Sequence, residues 1–198
     1  MQPFVHDRLQ KLQRLLARSS EVLGKYNRLD LDLANAVHSF LDEATAAHQA
    51  LQLLAVENAL LALKAQFISA EHGTHPETLV RSTGHRRELV RAIALRVLQH
   101  SAEQLRNDIN QDQQGLLDAT KQLQPLVLLA VRDGLLVPPR GRRLGQRRLQ
   151  RLWQALLQAP DSALAARQLA MQVSVYDILL LLGELVQAVA PPLQRAAR

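Results

Sequence analysis

The chain has no cysteine and few aromatic residues, and both shortages limit the functions it can have. Without cysteine there can be no disulfide, no thiol nucleophile and no zinc site built on thiolates. Aromatic residues make up 3% of the 198 residues, so a core must consist mainly of leucine, alanine and valine. A row of exposed rings, of the kind that stacks on single-stranded nucleic acid, is not expected.

Glycine and proline are also scarce, with 8 of each, and residues 25–72 contain neither. The sequence shows no glycine-rich phosphate loop, no Gly-x-Ser-x-Gly and no His-Glu-x-x-His motif. Seven histidines are present, but no three or four of them converge at a chelating spacing. The sequence therefore predicts a protein that is not an enzyme and that has no catalytic residue, no cofactor and no metal site.

Long apolar runs are absent as well. The most apolar stretch, residues 173–190, is shorter than the ~20 residues of a membrane span and contains Asp177 and Glu184. We therefore expect a buried core helix there and no membrane contact. The first residues lack the apolar core of a signal peptide, which predicts a cytoplasmic protein. Twenty arginines against four lysines favour a GC-rich bacterial source.

What the sequence does have is a long heptad pattern. Positions that are apolar, with the single exception of Asn58, recur in alternating steps of four and three, so that they share one side of a helix. They are Leu33, Val37, Phe40, Ala44, Ala47, Leu51, Leu54, Asn58, Leu61, Ala65 and Ile68. The pattern predicts one uninterrupted helix over residues 33–68 with a single seam. Asn58 within this seam predicts either a buried polar partner, Gln104 or Asp112, or pairing across two copies that sets the coiled-coil register.

A second series of seam positions, further along the chain, predicts another long helix that packs against the seam of the first helix. It also follows three–four steps, through Leu95, Leu98, Ala102, Leu105, Ile109, Asp112, Leu116, Ala119, Leu123 and Leu126. A short turn at residues 72–77 would join the two helices, which predicts an antiparallel hairpin. Pro125 is expected to start or kink a short helix that Gly134 ends.

The rest of the chain predicts a smaller helical part. A break at residues 137–141 is followed by a basic helix to residue 159, and a turn at 160–162 leads into a last helix that ends at Pro191. No segment alternates with period two, so no sheet is expected. The predicted fold is all-α: an elongated antiparallel helical hairpin or bundle with a C-terminal helical pair. Its predicted parts are residues 1–137 and 138–198, which together form one continuous domain.

The first long helix has another apolar line, nearly opposite the heptad seam. It consists of Leu53, Val56, Leu60, Leu63 and Phe67. Another helix of the same chain could cover this line, or a second subunit could do so and give a homodimer. These five residues are the candidate protein interface.

Arginine is the strongest charge feature. No acidic residue occurs between Gly134 and Ala159, and a second basic stretch covers residues 81–96. Arginine forks suit phosphates and carboxylates. The candidate anion or nucleic-acid contacts are Arg87, Arg91, Arg140, Arg142, Arg143, Arg147, Arg148 and Arg151. Trp153 lies near this run, but its spacing places it with Leu149, Leu152 and Leu156 on the buried side of the same helix.

The excess of apolar helix surface and the absence of a catalytic motif favour one functional class. The sequence predicts a non-enzymatic interaction protein: an adaptor, chaperone-like or regulatory module that binds another protein. The alternative is binding of nucleic acid or another polyanion through the arginine-rich segments 81–96 and 140–151.

Overall fold

The protein is all-α, as the sequence predicts. A computed structural model describes residues 4–51, 53–78, 80–81, 86–136 and 144–196. These ranges contain seven helices and no strand: α1 (Val5–Asn27), α2 (Leu33–Ala50), α3 (Leu54–Glu71), α4 (Arg86–Arg132), α5 (Gln146–Gln158), α6 (Ala163–Gln172) and α7 (Val175–Ala196). None of these helices is long and apolar enough to cross a membrane.

The chain forms two compact units. The N-terminal unit is Arg8–Gln111, and the C-terminal unit is Met1–Asp7 together with Asp112–Arg198. In the N-terminal unit α2 packs against α3, and in the C-terminal unit α5 packs against both α6 and α7. The sequence-based bounds of 1–137 and 138–198 stay a prediction, because compactness alone does not identify independently folding domains.

The single helix predicted over residues 33–68 is wrong. The chain turns after Leu51, and α2 and α3, of 18 residues each, pack against each other as a short antiparallel hairpin. The carbonyl of His48 accepts hydrogen bonds from the backbone N–H groups of Leu51 (3.2 Å) and Leu53 (3.0 Å), which closes the turn without glycine or proline. Folding the segment back lets its two halves cover each other, whereas one straight helix would leave an apolar side uncovered.

The turn also changes which side of the helix is buried. In α2 the predicted seam is largely confirmed, since Leu33, Val37, Phe40 and Ala44 are buried and Ala47 is partly buried. In α3 the buried residues are instead Leu60, Leu63, Phe67 and Ala70. Three seam positions that the heptad pattern placed in the core, Leu54, Leu61 and Ile68, are exposed. The heptad continues in the sequence across the turn, but the core does not follow it.

The longest helix is α4, with 47 residues. The predicted seam from Leu95 to Leu126 is largely confirmed, although Leu95 and Leu116 are only partly buried. The prediction that Pro125 starts a separate helix is wrong, because α4 continues through it to Arg132. An internal proline costs a helix about 3 kcal/mol, and burial of the flanking Leu123 and Val127 offsets this cost. Gly134, with a φ of +71°, follows the end of the helix as predicted.

Two further boundaries differ from the prediction. The last helix is two helices, α6 and α7, separated at residues 173–174, and α7 continues past Pro191 to Ala196. The buried side of α5 is confirmed: Trp153 and Leu156 are fully covered, and Leu149 and Leu152 are buried with them. They pack with α6 and α7 residues such as Leu169 and Leu182 in the core of the C-terminal unit.

The buried carboxylate of Asp177 links the two chain segments that form the C-terminal unit. Asp177 is 0% exposed and accepts hydrogen bonds from the first backbone N–H groups of α1, those of Val5 (2.8 Å) and His6 (3.1 Å). The His6 Nδ1 atom lies 2.5 Å from the same carboxylate, and the Ser174 hydroxyl donates to it at 2.6 Å. The Ser174 hydroxyl oxygen also accepts a hydrogen bond from the Asp177 backbone N–H, so Ser174 caps α7 while the Asp177 carboxylate caps α1.

Candidate functional site

The most unusual surface of the N-terminal unit is the outer side of α3. Its exposed side chains are Leu54, Ala55, Asn58, Ala59, Leu61, Ala62, Ala65 and Ile68, which we call the α3 outer face. None of them is charged. A helix that is apolar on all sides is normally buried, whereas a solvent-facing side normally carries Glu, Lys and Arg. Leu54 is 69% exposed and Leu61 is 45% exposed, so this face is open in the single chain.

The charged residues of α3 lie elsewhere and have partners or partial cover. Lys64 pairs with Asp42 of α2, and the Glu71 carboxylate lies 2.7 Å from His38 Nε2 of α2. Glu57 is half-buried, and one of its carboxylate oxygens is fully covered. Lys64 and Glu71 therefore pair with α2, and the outer face is left with alanine, leucine, isoleucine and one asparagine.

Asn58 lies in the middle of this face. The prediction of a buried partner within the chain is wrong, because Asn58 is exposed. Of the two suggested partners, Gln104 donates to Asp108 (3.1 Å). Asn58 remains a polar group at a heptad position of an otherwise apolar face.

The candidate interface predicted from the sequence needs correction. Leu60, Leu63 and Phe67 are buried inside the N-terminal unit, and Leu53 and Val56 are half-buried. The edge of the Phe67 ring packs against His38, with 5.1 Å between ring centroids. A partner could not reach these side chains without opening the fold. The interpretation that the same chain covers this apolar line therefore holds for Leu60, Leu63 and Phe67.

The exposed side of α5, in the C-terminal unit, has the opposite character. Its exposed side chains on the helix are Gln146, Arg147, Arg148, Gln150, Arg151, Gln154 and Gln158, which we call the α5 basic face. It contains no carboxylate, and its three arginines form no ion pair with the described residues. Arg140, Arg142 and Arg143, also predicted as anion contacts, lie outside the described residues.

The arginines at residues 81–96 are less available than the sequence suggests. Arg91 donates to the Tyr26 carbonyl (3.1 Å) and lies over the Tyr26 ring, 4.8 Å from its centroid. Arg96 pairs with Glu77. Arg87 is exposed and lines a cleft of about 470 Å³. That cleft also contains Asp30 and Glu71, whose charge weakens it as an anion site.

A buried polar pair lies between α2 and α4. His48 is 1% exposed, and its Nδ1 lies 2.7 Å from the Ala44 carbonyl oxygen. A carbonyl only accepts, so Nδ1 must carry the hydrogen, and neutral His48 then has a lone pair on Nε2. Nε2 faces an oxygen of Asp108 at 3.6 Å, and neither atom has a hydrogen-bond partner. In the neutral form of His48, two acceptors therefore face each other between α2 and α4.

This geometry predicts that Asp108→Asn stabilises the protein. The amide keeps an oxygen for Gln104 and adds an N–H that can donate to His48 Nε2. One gained hydrogen bond is worth about 1 kcal/mol, so the free energy of unfolding in urea should rise by that amount. Glu103→Gln, which removes the same charge from an exposed position of α4, should leave it unchanged. A loss of stability in Asp108→Asn alone would instead mean that His48 is protonated and ion-paired with Asp108.

The described ranges contain no group of three or more His, Asp or Glu side chains that could hold a metal ion. No family model, curated protein or solved structure matches this chain. A function must therefore be argued from the two surfaces themselves.

Proposed function

We propose that this protein is a non-enzymatic helical interaction protein, and that its α3 outer face binds an apolar helix of another protein. The observation that carries the proposal is the absence of charge from every exposed side chain of α3. Large apolar side chains such as Leu54, Leu61 and Ile68, aligned along one helix, are typical of a surface that a partner covers. An adaptor, chaperone-like or regulatory role in a bacterial cytoplasm fits such a surface.

The composition of the face indicates the chemistry of the partner. The alanines at 55, 59, 62 and 65 have small side chains, so a partner helix can approach the α3 backbone closely. The partner should present leucine or alanine at the contact, because the face has no charge to pair with a charged side chain. Opposite Asn58 it needs a group that can donate or accept a hydrogen bond.

A second copy of this chain is the alternative occupant. An asparagine can donate to and accept from its own copy across a two-fold axis, and a buried asparagine of this kind sets register in coiled coils. We propose another protein as the partner, and a measurement of the solution mass of the purified chain tests whether a second copy takes its place. A dimer that Asn58→Leu shifts to other assemblies would favour self-association.

The proposal predicts that Leu61→Glu abolishes partner binding without unfolding the chain. Leu61 is partly exposed, so the fold tolerates a glutamate, whereas a charge buried in an apolar interface costs several kcal/mol. The measurement is photo-crosslinking in the native cell with a photoreactive residue at Ala62, followed by mass spectrometry of the crosslinked peptides. We expect one reproducible partner helix, lost on Leu61→Glu.

The matched control is Gln49→Glu, which adds the same charge at an exposed position of α2. It should leave the crosslink intact. Equal loss in both variants, or a photoreactive residue at Ala62 that captures nothing more than one at Gln49, would overturn the proposal.

A further inference from the structure

The α5 basic face is chemically suited to a second ligand, independent of the α3 outer face. We propose that it binds the phosphate backbone of double-stranded nucleic acid. Arg147 and Arg151 are one helical turn apart, and Arg148 lies beside them. All three are exposed and belong to a face with no carboxylate. Arginine donates to phosphate oxygens through a planar fork, which makes it well suited to this contact.

Three neighbouring arginines without an ion-pair partner in the described part of the chain distinguish this helix. Arg132, by contrast, is ion-paired with Asp133 and Asp161 at 2.7 and 2.6 Å. Arg147, Arg148 and Arg151 have no such partner among the described residues, although they share one 13-residue helix. The mutual repulsion of neighbouring arginines remains uncompensated in the single chain, and an external polyanion would relieve it.

The fold excludes two other uses of a basic amphipathic helix. A helix of this kind binds membranes by inserting its apolar side, but here Trp153 and Leu156 are fully covered by the rest of the C-terminal unit. Binding of single strands by base stacking needs exposed rings, and Trp153, the only aromatic residue of α5, is 1% exposed. What remains available is a charged and hydrogen-bonding surface, which suits the regular backbone of a duplex.

The glutamines favour nucleic acid over an acidic protein. Gln146, Gln150, Gln154 and Gln158 follow each other at steps of four along the same side of α5. A glutamine amide can donate to phosphate oxygens and can also accept hydrogen bonds from base edges. Arginine and lysine side chains have no acceptor and can only donate. An acidic protein surface would be matched better by further positive charge at these positions.

The experiment measures binding of the full chain to a short fluorescent DNA duplex by anisotropy, over a series of salt concentrations. Matching RNA duplexes, single strands and polyglutamate are the comparison ligands. The test variant is Arg147→Ala with Arg148→Ala and Arg151→Ala. The control variant removes three exposed helical arginines from elsewhere, as Arg14→Ala with Arg106→Ala and Arg167→Ala, so the net charge of both variants is equal.

We expect the wild type and the control variant to bind duplex at low salt, with affinity that falls as salt rises. The α5 variant should bind about tenfold or more weakly. For the DNA duplex, the slope of the logarithm of the binding constant against the logarithm of the salt concentration should be smaller in magnitude by about 2.7. Each of the three lost phosphate contacts lowers that slope by about 0.9.

Four results would overturn the proposal. In the first, the wild type does not bind duplex at low salt, and in the second, both variants weaken binding equally. In the third, the wild type binds single strands more strongly than duplex. In the fourth, it binds polyglutamate as strongly as it binds duplex. The last would assign the face to an acidic protein. A difference between the DNA and RNA duplexes decides which of the two carries the backbone that α5 binds.

Discussion

Replacing Phe67 with alanine is expected to lower the free energy of unfolding by about 3–5 kcal/mol, the usual cost of a large-to-small change at a buried phenylalanine. Phe67 is 0% exposed, and its ring packs against His38 between α2 and α3. The alanine would lose the transfer free energy of the ring and leave a cavity that a close-packed helix pair fills only in part. Urea unfolding followed by far-ultraviolet circular dichroism measures the change.

The control for this prediction is the next residue. Ile68→Ala should cost much less, because Ile68 is 37% exposed and its removal leaves no closed cavity. The pair of variants also tests which side of α3 is buried, since the heptad pattern places Ile68 in the core and the structure places Phe67 there. A larger loss in Ile68→Ala than in Phe67→Ala would contradict the packing of α3 on α2 through Phe67.

Replacing Asp177 with alanine is expected to cost about 3 kcal/mol. The substitution removes the acceptor for the backbone N–H groups of Val5 and His6 and for the hydroxyl of Ser174. A buried donor left without a partner costs about 1–3 kcal/mol, and the loss of the α1 cap adds to it. Glu184→Ala on the same helix is the control, because Glu184 is exposed and should change stability little.

The Asp177 carboxylate also predicts how stability depends on pH. Burial opposes its charged form, but the hydrogen bonds from Ser174, His6 and Val5 together outweigh burial and lower the pKa below its ordinary value. A carboxyl with a lowered pKa in the folded state binds protons more readily when unfolded. Its contribution is therefore complete above about pH 4 and is lost as the pH falls through the lowered pKa.

Asp177→Asn provides the test of this sign. The wild type should lose this part of its stability on acidification below about pH 4, whereas the variant, already weaker at neutral pH, should lack that component. Unfolding in urea at a series of pH values measures both. Parallel pH profiles for the two proteins would show that Asp177 does not contribute in its charged form.

The two proposals differ in how far the sequence predicted them. The α5 basic face follows from composition, since arginines and glutamines on the polar side of a strongly amphipathic helix must be exposed once Trp153 and Leu156 are buried. The α3 outer face could not be found in this way. The heptad predicted that Leu61 was core, and the second apolar line left open whether the same chain or a partner covers Phe67, whereas the structure has Phe67 in the core and Leu61 on the surface.

The sequence by itself determined that the chain is helical, that α4 has a seam ending near Leu126, and that Leu149, Leu152, Trp153 and Leu156 are the buried side of α5. These features depend on periodicity within one helix, which the order of residues contains. Tertiary structure alone decided that residues 33–68 form two packed helices, that Pro125 stays inside a helix, and that Asp177 caps a helix far away in the sequence. Each of these outcomes depends on which surfaces meet, because an apolar side of a helix or a buried carboxylate is stabilised only by what covers it.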